Sequence, residues 1–269
     1  MTGAARRRDK KPAQQERTLI KSQSELDTMR HAGRILAQTQ ARLREMIEPG
    51  VNTLALDALA EEVIREAGAS PSFKNYQGYP ATICAQVNEV VVHGIPRADE
   101  VLSAGDIFGV DLGVCFEGYH ADAAFTVGVG EIDAEAQRLM DVTEQARDLG
   151  VAQVRPGATI RDIAAAVQAH AEDAGFGVVR ALVGHGIGSS IHEPPQVPNF
   201  VERGNEAVYG LTLVAGMALA IEPMINAGGP DVRQDSDGWT IRTADGSLSA
   251  HFEHTVIVTE DGHRITTVP

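Results

Sequence analysis

The chain contains one internal repeat, in which a short pattern recurs after 107 residues without a gap. The repeated positions are Pro49-Gly50 with Pro156-Gly157, Ala67-Gly68 with Ala174-Gly175, and Glu66 with Asp173. In each copy a Pro-Gly turn leads into a helix that ends at an Ala-Gly pair. Pro-Gly before an Ala-rich helix is a common pattern, so chance is the alternative. The ungapped agreement at both ends favours duplication, and therefore a fold built from two related halves.

Each copy also follows an earlier helical segment, from Glu25 to about Met46 in the first half and from Ala134 to about Val151 in the second. Ser24, with Asp27 three residues further on, is predicted to cap the first of these helices. Strand-like segments follow each helix pair, at Ile83 to Val92, Ile107 to Val129, Gly177 to Val183 and Leu213 to Ile221. Two helix-helix-sheet halves predict an α+β fold in which helices cover one face of a curved, largely antiparallel sheet.

Composition places the chain among ordinary globular proteins. It has 269 residues, 43% of them apolar, which is enough to bury a sizeable core. No apolar run approaches the roughly 18 residues that cross a bilayer, and no apolar segment follows the basic amino terminus, so a cytoplasmic protein is expected. The two cysteines, Cys84 and Cys115, predict neither a disulfide framework nor a zinc ribbon.

Residues 1–19 are predicted to form a flexible basic arm, and residues 20–269 a single catalytic domain. The arm carries six basic residues, Arg6, Arg7, Arg8, Lys10, Lys11 and Arg17. The net charge is −14, so the rest of the chain is more acidic still, which argues against nucleic acid as a specific ligand. A solvated tail is the favoured interpretation of the arm, and transient contact with a polyanion such as the ribosome is the alternative.

Five residues far apart in the chain lie in short motifs typical of a metal site. They are Asp111 and Asp122 in D-L-G-V-C-F-E-G-Y-H-A-D, His185 in G-H-G-I-G, Glu222 in I-E-P-M-I-N-A-G and Glu253 in F-E-H-T. Four carboxylates and one imidazole form a hard ligand set that suits Mn, Fe, Co or Zn. Burying such carboxylates among apolar residues is costly unless a cation compensates their charge.

Asp111 and Asp122 flank a turn that is best placed at Glu117-Gly118, because glycine accepts the positive φ of a tight hairpin. With that turn, Asp111 lies opposite Ala124, and Asp122 lies two positions from Ala124 on the same strand. Both aspartates then project from one face of the hairpin as diagonal neighbours. In isolation, two acids at this spacing are more often solvated surface charges, so the apolar surroundings carry the inference.

The order and local sequence of these motifs resemble the methionine aminopeptidases, specifically the short type found in bacteria, from about Ile20 to Thr267. The resemblance implies the pita-bread fold and two divalent metal ions held between the two halves. It also implies removal of the N-terminal methionine from nascent polypeptides when the second residue is small, by attack of an activated water on the first peptide bond. A monomer is expected.

The resemblance assigns a role to each candidate residue. Asp111 and Glu253 bridge the ions, Asp122 completes one metal site, and His185 and Glu222 complete the other. Glu222 also accepts the proton of the attacking water. His192 lies near the substrate carbonyl and His93 beside the scissile peptide. Tyr76, Tyr79, Cys84 and Trp239 line an apolar pocket for the methionine side chain, although core packing is the ordinary fate of such residues.

Two residues depart from the family pattern. Ile191 stands where the bacterial enzymes usually have phenylalanine, and Phe73 stands where a smaller residue is common; both are expected to reshape one pocket wall. The same fold hosts proline-specific peptidases, creatine hydrolysis and non-catalytic binding proteins. Xaa-Pro cleavage is a weak second interpretation, because that group usually carries a long amino-terminal domain. A binding protein is disfavoured because all five ligand positions are present.

Overall fold

The structure is a computed structural model that describes residues 19–269. The basic residues of the predicted arm, from Arg6 to Arg17, lie outside the described residues, so the arm and its boundary stay predictions. Five α-helices and one 3-10 helix are described: α1 Gln23–Met46, α2 Thr53–Glu66, the 3-10 helix Tyr76–Gly78, α3 Ala134–Ala152, α4 Ile160–Asp173 and the short α5 Glu206–Tyr209. Within residues 19–269, no helix has the length and apolar character needed to cross a membrane.

Within the described part of the chain, fifteen strands form four sheets, and every strand pairing is antiparallel. The strands are β1 Ser70–Pro71, β2 Ile83–Val87, β3 Val90–Val92, β4 Ile107–Phe116, β5 Tyr119–Gly128, β6 Gly177–Val178, β7 Gly184–Gly186, β8 Glu193–Val197, β9 Ala218–Ile221, β10 Met224–Asn226, β11 Val232–Gln234, β12 Ile241–Thr243, β13 Ser249–His251, β14 His254–Val258 and β15 His263–Ile265. One sheet joins β1, β2 and β5 to β4, and another follows the order β15-β14-β9-β7-β8. The remaining two sheets have the orders β13-β10-β6 and β11-β12-β3.

The internal repeat is present in the structure at the predicted offset. Helices α2 and α4 each have 14 residues and begin and end at equivalent positions of the two copies. Gly50 and Gly157 have φ values of 97° and 85°, as the Pro-Gly turns require. Both helices end at an Ala-Gly pair in which the glycine also has a positive φ. The predicted pairing of two helix-helix-sheet halves is therefore confirmed.

The helices pack on the sheets, and the main core lies between them. Helix α1 packs on β4 and β5, and α3 packs on α4, β10 and β13. Fully buried residues of this core include Leu36 and Leu43 of α1, Val110 of β4 and Leu139 of α3. Burying each such side chain contributes about 1.5–3 kcal/mol to folding, so this layer holds the strands that carry the candidate site.

Four predicted boundaries were wrong. Helix α1 is capped by Ser22, because its hydroxyl accepts the Glu25 N–H while the Glu25 carboxylate accepts the Ser22 N–H at 2.6 Å; Ser24 lies inside the first turn. The segment predicted as one strand from Ile83 divides at Asn88, whose φ is 53°. The strands predicted to begin at Gly177 and Leu213 are shorter. β6 ends at Val178, and β9 begins only after a turn at Gly216 with φ of 91°.

Gly33 allows α1 to approach the chain next to β15. A Cβ atom at this position would lie 2.2 Å from the carbonyl oxygen of Thr266. We expect Gly33→Ala to destabilise the fold by about 1–3 kcal/mol, because neither backbone can move away easily. Thermal unfolding should show a lower Tm than in the control Gly262→Ala, where an added Cβ would meet nothing within 4 Å. Equal Tm values for the two variants would contradict the close contact.

Candidate metal centre

The β4–β5 hairpin brings two of the candidate acids together. Its turn lies at Glu117-Gly118, both with positive φ, as predicted. Asp111 is paired with Ala124 and Gly113 with Asp122, so both carboxylates leave the same face of the hairpin. The predicted register is confirmed. Asp111 and Asp122 are 7% and 3% exposed, which makes solvated surface charges the wrong interpretation.

The other three candidates come from the sheet of the second half. His185 lies in the centre of β7 and pairs with Ala220 of β9, while Glu222 follows β9 immediately. Glu253 precedes β14, and its backbone N–H donates to the Ala124 carbonyl at 2.9 Å. That hydrogen bond ties the second half to the hairpin of the first, next to both aspartates.

The ligand atoms converge. One carboxylate oxygen of Asp122, one of Glu253 and a ring nitrogen of His185 lie within 4.8 Å of one another. His185 Nε2 is 3.3 Å from Glu222 Oε1 and 3.9 Å from Asp122 Oδ2. All five candidates, including Asp111, border one cavity.

The protonation state of His185 makes this convergence informative. Its Nδ1 lies 2.9 Å from the Gly186 carbonyl oxygen, which can only accept, so Nδ1 carries the proton. Burial lowers the pKa of His185 to about 3, so Nε2 has no proton and presents a lone pair. The Nε2 lone pair therefore faces two carboxylate oxygens. A divalent cation between them would bind all three atoms and remove the need for a shared proton.

The four carboxylates need the same compensation. Burial raises the pKa of Asp111 to about 7, and burial together with the neighbouring acids raises the pKa of Asp122, Glu222 and Glu253 well above the usual range. Asp111 Oδ1, Asp122 Oδ1 and Glu253 Oε1 are buried and have no hydrogen-bond partner. Unpartnered buried oxygens together with an unprotonated imidazole fit a divalent cation of the first transition row.

Two further histidines border the cavity beside the acids. The His192 ring lies 4.3 Å from that of His185, and its Nδ1 is 3.0 Å from the Tyr76 hydroxyl. Burial lowers the pKa of His192, and it lowers that of His93 to about 4. His93 has a φ of 59°, a strained backbone of the kind that concentrates at functional sites. Both imidazoles are neutral near pH 7 and can donate one hydrogen bond each.

The cavity has a volume of about 420 Å³ and an apolar end. Phe73, Tyr79, Cys84 and Trp239 line this end, and the Tyr79 and Trp239 rings meet edge to face at 5.2 Å. Tyr76 lines the cavity nearer to His192. Ile191, predicted to form part of the wall, is 2% exposed and packs in the same apolar cluster as Phe73, but it is not among the residues that border the cavity.

Several residues of the site were not found from the sequence. His251 is 2% exposed, and its Nε2 lies 4.0 Å from Glu222 Oε2. Its position two residues before Glu253 is a signal that could have identified it. Leu182, Val183 and Met224 also line the cavity, as do Gln77, Val92, Glu193 and Gln196. These residues carry no local pattern that separates them from ordinary core or surface positions.

The glycines at positions 184, 186 and 188 lie where neighbouring chain segments come close to His185. A Cβ at Gly184 would lie 2.4 Å from the Ala220 carbonyl oxygen, and one at Gly186 would lie 2.1 Å from that of Pro194. A Cβ at Gly188 would lie 2.5 Å from Lys21 Cε. The glycines therefore allow close packing of β7 and its following loop against neighbouring chain segments.

Comparison with known proteins agrees with this chemistry. The chain matches the model of metallopeptidase family M24 over residues 27–260. It is 47% identical over 250 residues to a methionine aminopeptidase of Clostridium perfringens, with 93% of this chain and 98% of that protein covered. Methionine aminopeptidase 1 of Bacillus subtilis is 45% identical over 249 residues, with 93% and 98% covered.

The fold is shared as well. The crystal structure of a methionine aminopeptidase from Thermotoga maritima matches with a TM-score of 0.89 and 40% identity, covering 93% of this chain and 99% of that chain. The predicted pita-bread fold class is therefore confirmed.

Proposed function

The chain belongs to metallopeptidase family M24 and, within it, to the methionine aminopeptidases, and we propose that the cavity described above is where it removes N-terminal methionine. The observation that carries this assignment is the convergence of His185 Nε2 with the carboxylates of Asp122, Glu222 and Glu253 at the border of one cavity. The enzyme is a divalent-metal-dependent aminopeptidase.

The proposal assigns five ligands to two ions. Asp111 and Glu253 would be shared between the ions, Asp122 would belong to one site, and His185 and Glu222 would belong to the other. Bound divalent cations supply Lewis acidity, which lowers the pKa of a coordinated water and stabilises negative charge on a substrate carbonyl oxygen. Cobalt, manganese, iron and zinc all suit this oxygen-rich ligand set with one imidazole.

The side chains of the cavity supply the proton transfers and the orientation. Glu222 would accept a proton from the attacking water and deliver it to the leaving amine. The Tyr76 hydroxyl can donate to His192 Nδ1, which places the proton of neutral His192 on Nε2. His192 Nε2–H then donates to the substrate carbonyl oxygen, and His93 hydrogen-bonds the peptide nitrogen.

Specificity is proposed to come from the apolar end of the cavity. A methionine side chain is flexible and apolar, and its sulfur makes favourable contacts with aromatic rings such as those of Tyr79 and Trp239. Phe73 narrows the same end. The preference for a small second residue in the substrate, expected from the sequence, is part of the proposal.

A peptide panel tests the function. Protein stripped with a chelator and reconstituted with Mn, Fe, Co or Zn should release methionine from Met-Gly and Met-Ala peptides. It should leave Xaa-Pro peptides and Met-Leu peptides largely uncut. The matched control is the same Met-Ala peptide with an acetylated amino group, which should resist cleavage if the free terminus is recognised. Cleavage of Xaa-Pro peptides with methionyl peptides intact would identify a proline-specific enzyme instead.

A further inference from the structure

The loop between β7 and β8 carries His192 and is fastened by its neighbour Glu193. The Glu193 carboxylate accepts three hydrogen bonds, from Lys21 Nζ at 2.8 Å, from the Ser190 N–H at 3.0 Å and from the Ser189 hydroxyl at 3.2 Å. The two serine contacts close the loop on itself. The lysine contact joins the loop to the segment just before α1, which is 172 residues away in sequence.

The Lys21–Glu193 ion pair is buried. The two side chains are only 5% and 6% exposed. Lys21 is also held through its backbone, whose N–H donates to the Gly216 carbonyl at 2.8 Å, and its Nζ lies 3.5 Å from the Leu19 carbonyl oxygen. Taking two charges out of water costs free energy that their mutual attraction offsets only when the geometry is good. A buried pair of this kind is therefore better explained by the position it fixes than by stability.

Packing around the ion pair restricts movement of the loop between β7 and β8. A Cβ at Gly188 would lie 2.5 Å from Lys21 Cε and 2.9 Å from both Glu193 carboxylate oxygens. The Gly188 carbonyl accepts the His120 N–H at 2.9 Å, which ties the same loop to β5. The loop is thus fixed against both the segment before α1 and the hairpin that carries Asp122.

His192 depends on this loop for its position, because it lies in the loop and is peptide-bonded to Glu193. Its imidazole must lie between the Tyr76 hydroxyl and His185 to face the cavity. A displacement of the loop by about 1 Å would move its donor away from a developing oxyanion, and such misplacement can cost on the order of 100-fold in rate.

We propose that the Lys21–Glu193 ion pair is a positioning element that holds His192 in place for catalysis. The proposal rests on the role of His192 at the substrate carbonyl given under the proposed function. Glu193 borders the cavity, but its carboxylate is engaged by Lys21, Ser189 and Ser190, so the ion pair acts through His192. Loss of the ion pair should therefore weaken an interaction made mainly in the transition state, which lowers kcat and leaves KM nearly unchanged.

The test uses the metal-loaded full-length enzyme and a Met-Ala peptide. Lys21→Met should lower kcat about 10- to 100-fold with KM within about threefold of wild type. Glu193→Gln should act in the same direction, because an amide whose oxygen accepts from Ser190 turns its NH2 group towards the Lys21 ammonium and loses the ionic contact. The control is Arg161→Met, which breaks an equally short ion pair with Glu206 outside the cavity and should leave kcat unchanged.

The decisive measurement is a double-mutant cycle with His192→Ala. If the ion pair acts through His192, Lys21→Met should lower kcat in the wild-type background and have almost no further effect in His192→Ala. Equal fold losses in both backgrounds, or no loss in either Lys21→Met or Glu193→Gln, would overturn the proposal. Should Lys21→Met fail to fold, Glu193→Gln takes its place in the same cycle. If His192→Ala alone leaves kcat unchanged, it is instead the proposed role of His192 that fails.

Discussion

Replacing His185 with alanine is expected to lower kcat/KM for a methionyl peptide by more than about 100-fold while leaving the fold intact. Losing an outer partner of a metal ligand typically costs 10- to 100-fold, and the loss of a direct ligand should exceed that. The His185 side chain is 11% exposed at the edge of the cavity, and its removal leaves the cores under α1 and α3 untouched. Steady-state kinetics and metal content per chain, measured on the same preparation, check this.

The matched control is His263→Ala. His263 lies on β15, and its Nδ1 is 3.0 Å from the Val154 carbonyl oxygen, outside the cavity. This variant should retain metal and turnover. Full metal content and undiminished activity in His185→Ala would refute the ligand assignment, whereas a loss of activity in both variants would point to a general loss of folded protein.

A second substitution should have opposite effects on activity and on metal-free stability. Asp111→Asn is expected to remove activity, yet to make the chelator-stripped protein more stable than stripped wild type at pH 8. The reason is that burial raises the pKa of Asp111 to about 7 in the folded protein, against about 3.9 in an unfolded chain. At a pH where Asp111 is ionised in both the folded and the unfolded chain, this pKa shift lowers the free energy of unfolding of stripped wild type by on the order of 4 kcal/mol.

The sign of the pH dependence follows from linkage. A carboxyl with a raised folded pKa favours the folded state most at low pH, and that benefit is lost as pH rises from about 4 to about 7. The asparagine side chain does not titrate, so the advantage of Asp111→Asn over wild type should grow across this window. The buried histidines, whose pKa values are lowered, titrate in the opposite sense in both proteins and cancel in the comparison.

Thermal unfolding of both stripped proteins at pH 5, 6, 7 and 8 measures this difference. Added divalent metal should reverse the order of stability at pH 8, because a cation favours the ionised aspartate and gains little from the amide. A gap between the two Tm values that shrinks with rising pH would show that Asp111 is ionised in the metal-free fold and compensated in another way.

The sequence was sufficient to predict features that depend on residues close together in the chain. The Glu117-Gly118 turn fixed the register of the β4–β5 hairpin, so the common face of Asp111 and Asp122 followed from counting residues. The ungapped repeat likewise placed α2 and α4 correctly. The cap of α1 was also a local question, and it was misjudged because Ser22 with Glu25 and Ser24 with Asp27 both satisfy the capping pattern.

Other features depend on contacts between distant segments. Packing of the two halves divides the strands into four sheets. The same packing places Leu182 and Val183 at the cavity. The tautomer of His185 depends on the Gly186 carbonyl, which lies at a register shift between β7 and β8. Lys21 and Glu193 are 172 residues apart in sequence, and no local pattern at either residue indicates their ion pair.

The division of the ligands between the halves has a consequence for biosynthesis. The hairpin with Asp111 and Asp122 can form early, but its carboxylates then lack Glu253, and the Asp122 N–H and C=O lack the Thr255 hydroxyl that bonds them at 2.9 and 2.8 Å. A growing polypeptide therefore cannot capture its cations securely until residues 253 to 255 have been made and docked. Newly translated molecules should pass through an inactive, metal-poor stage whose duration is governed by the closing of the second half onto the first.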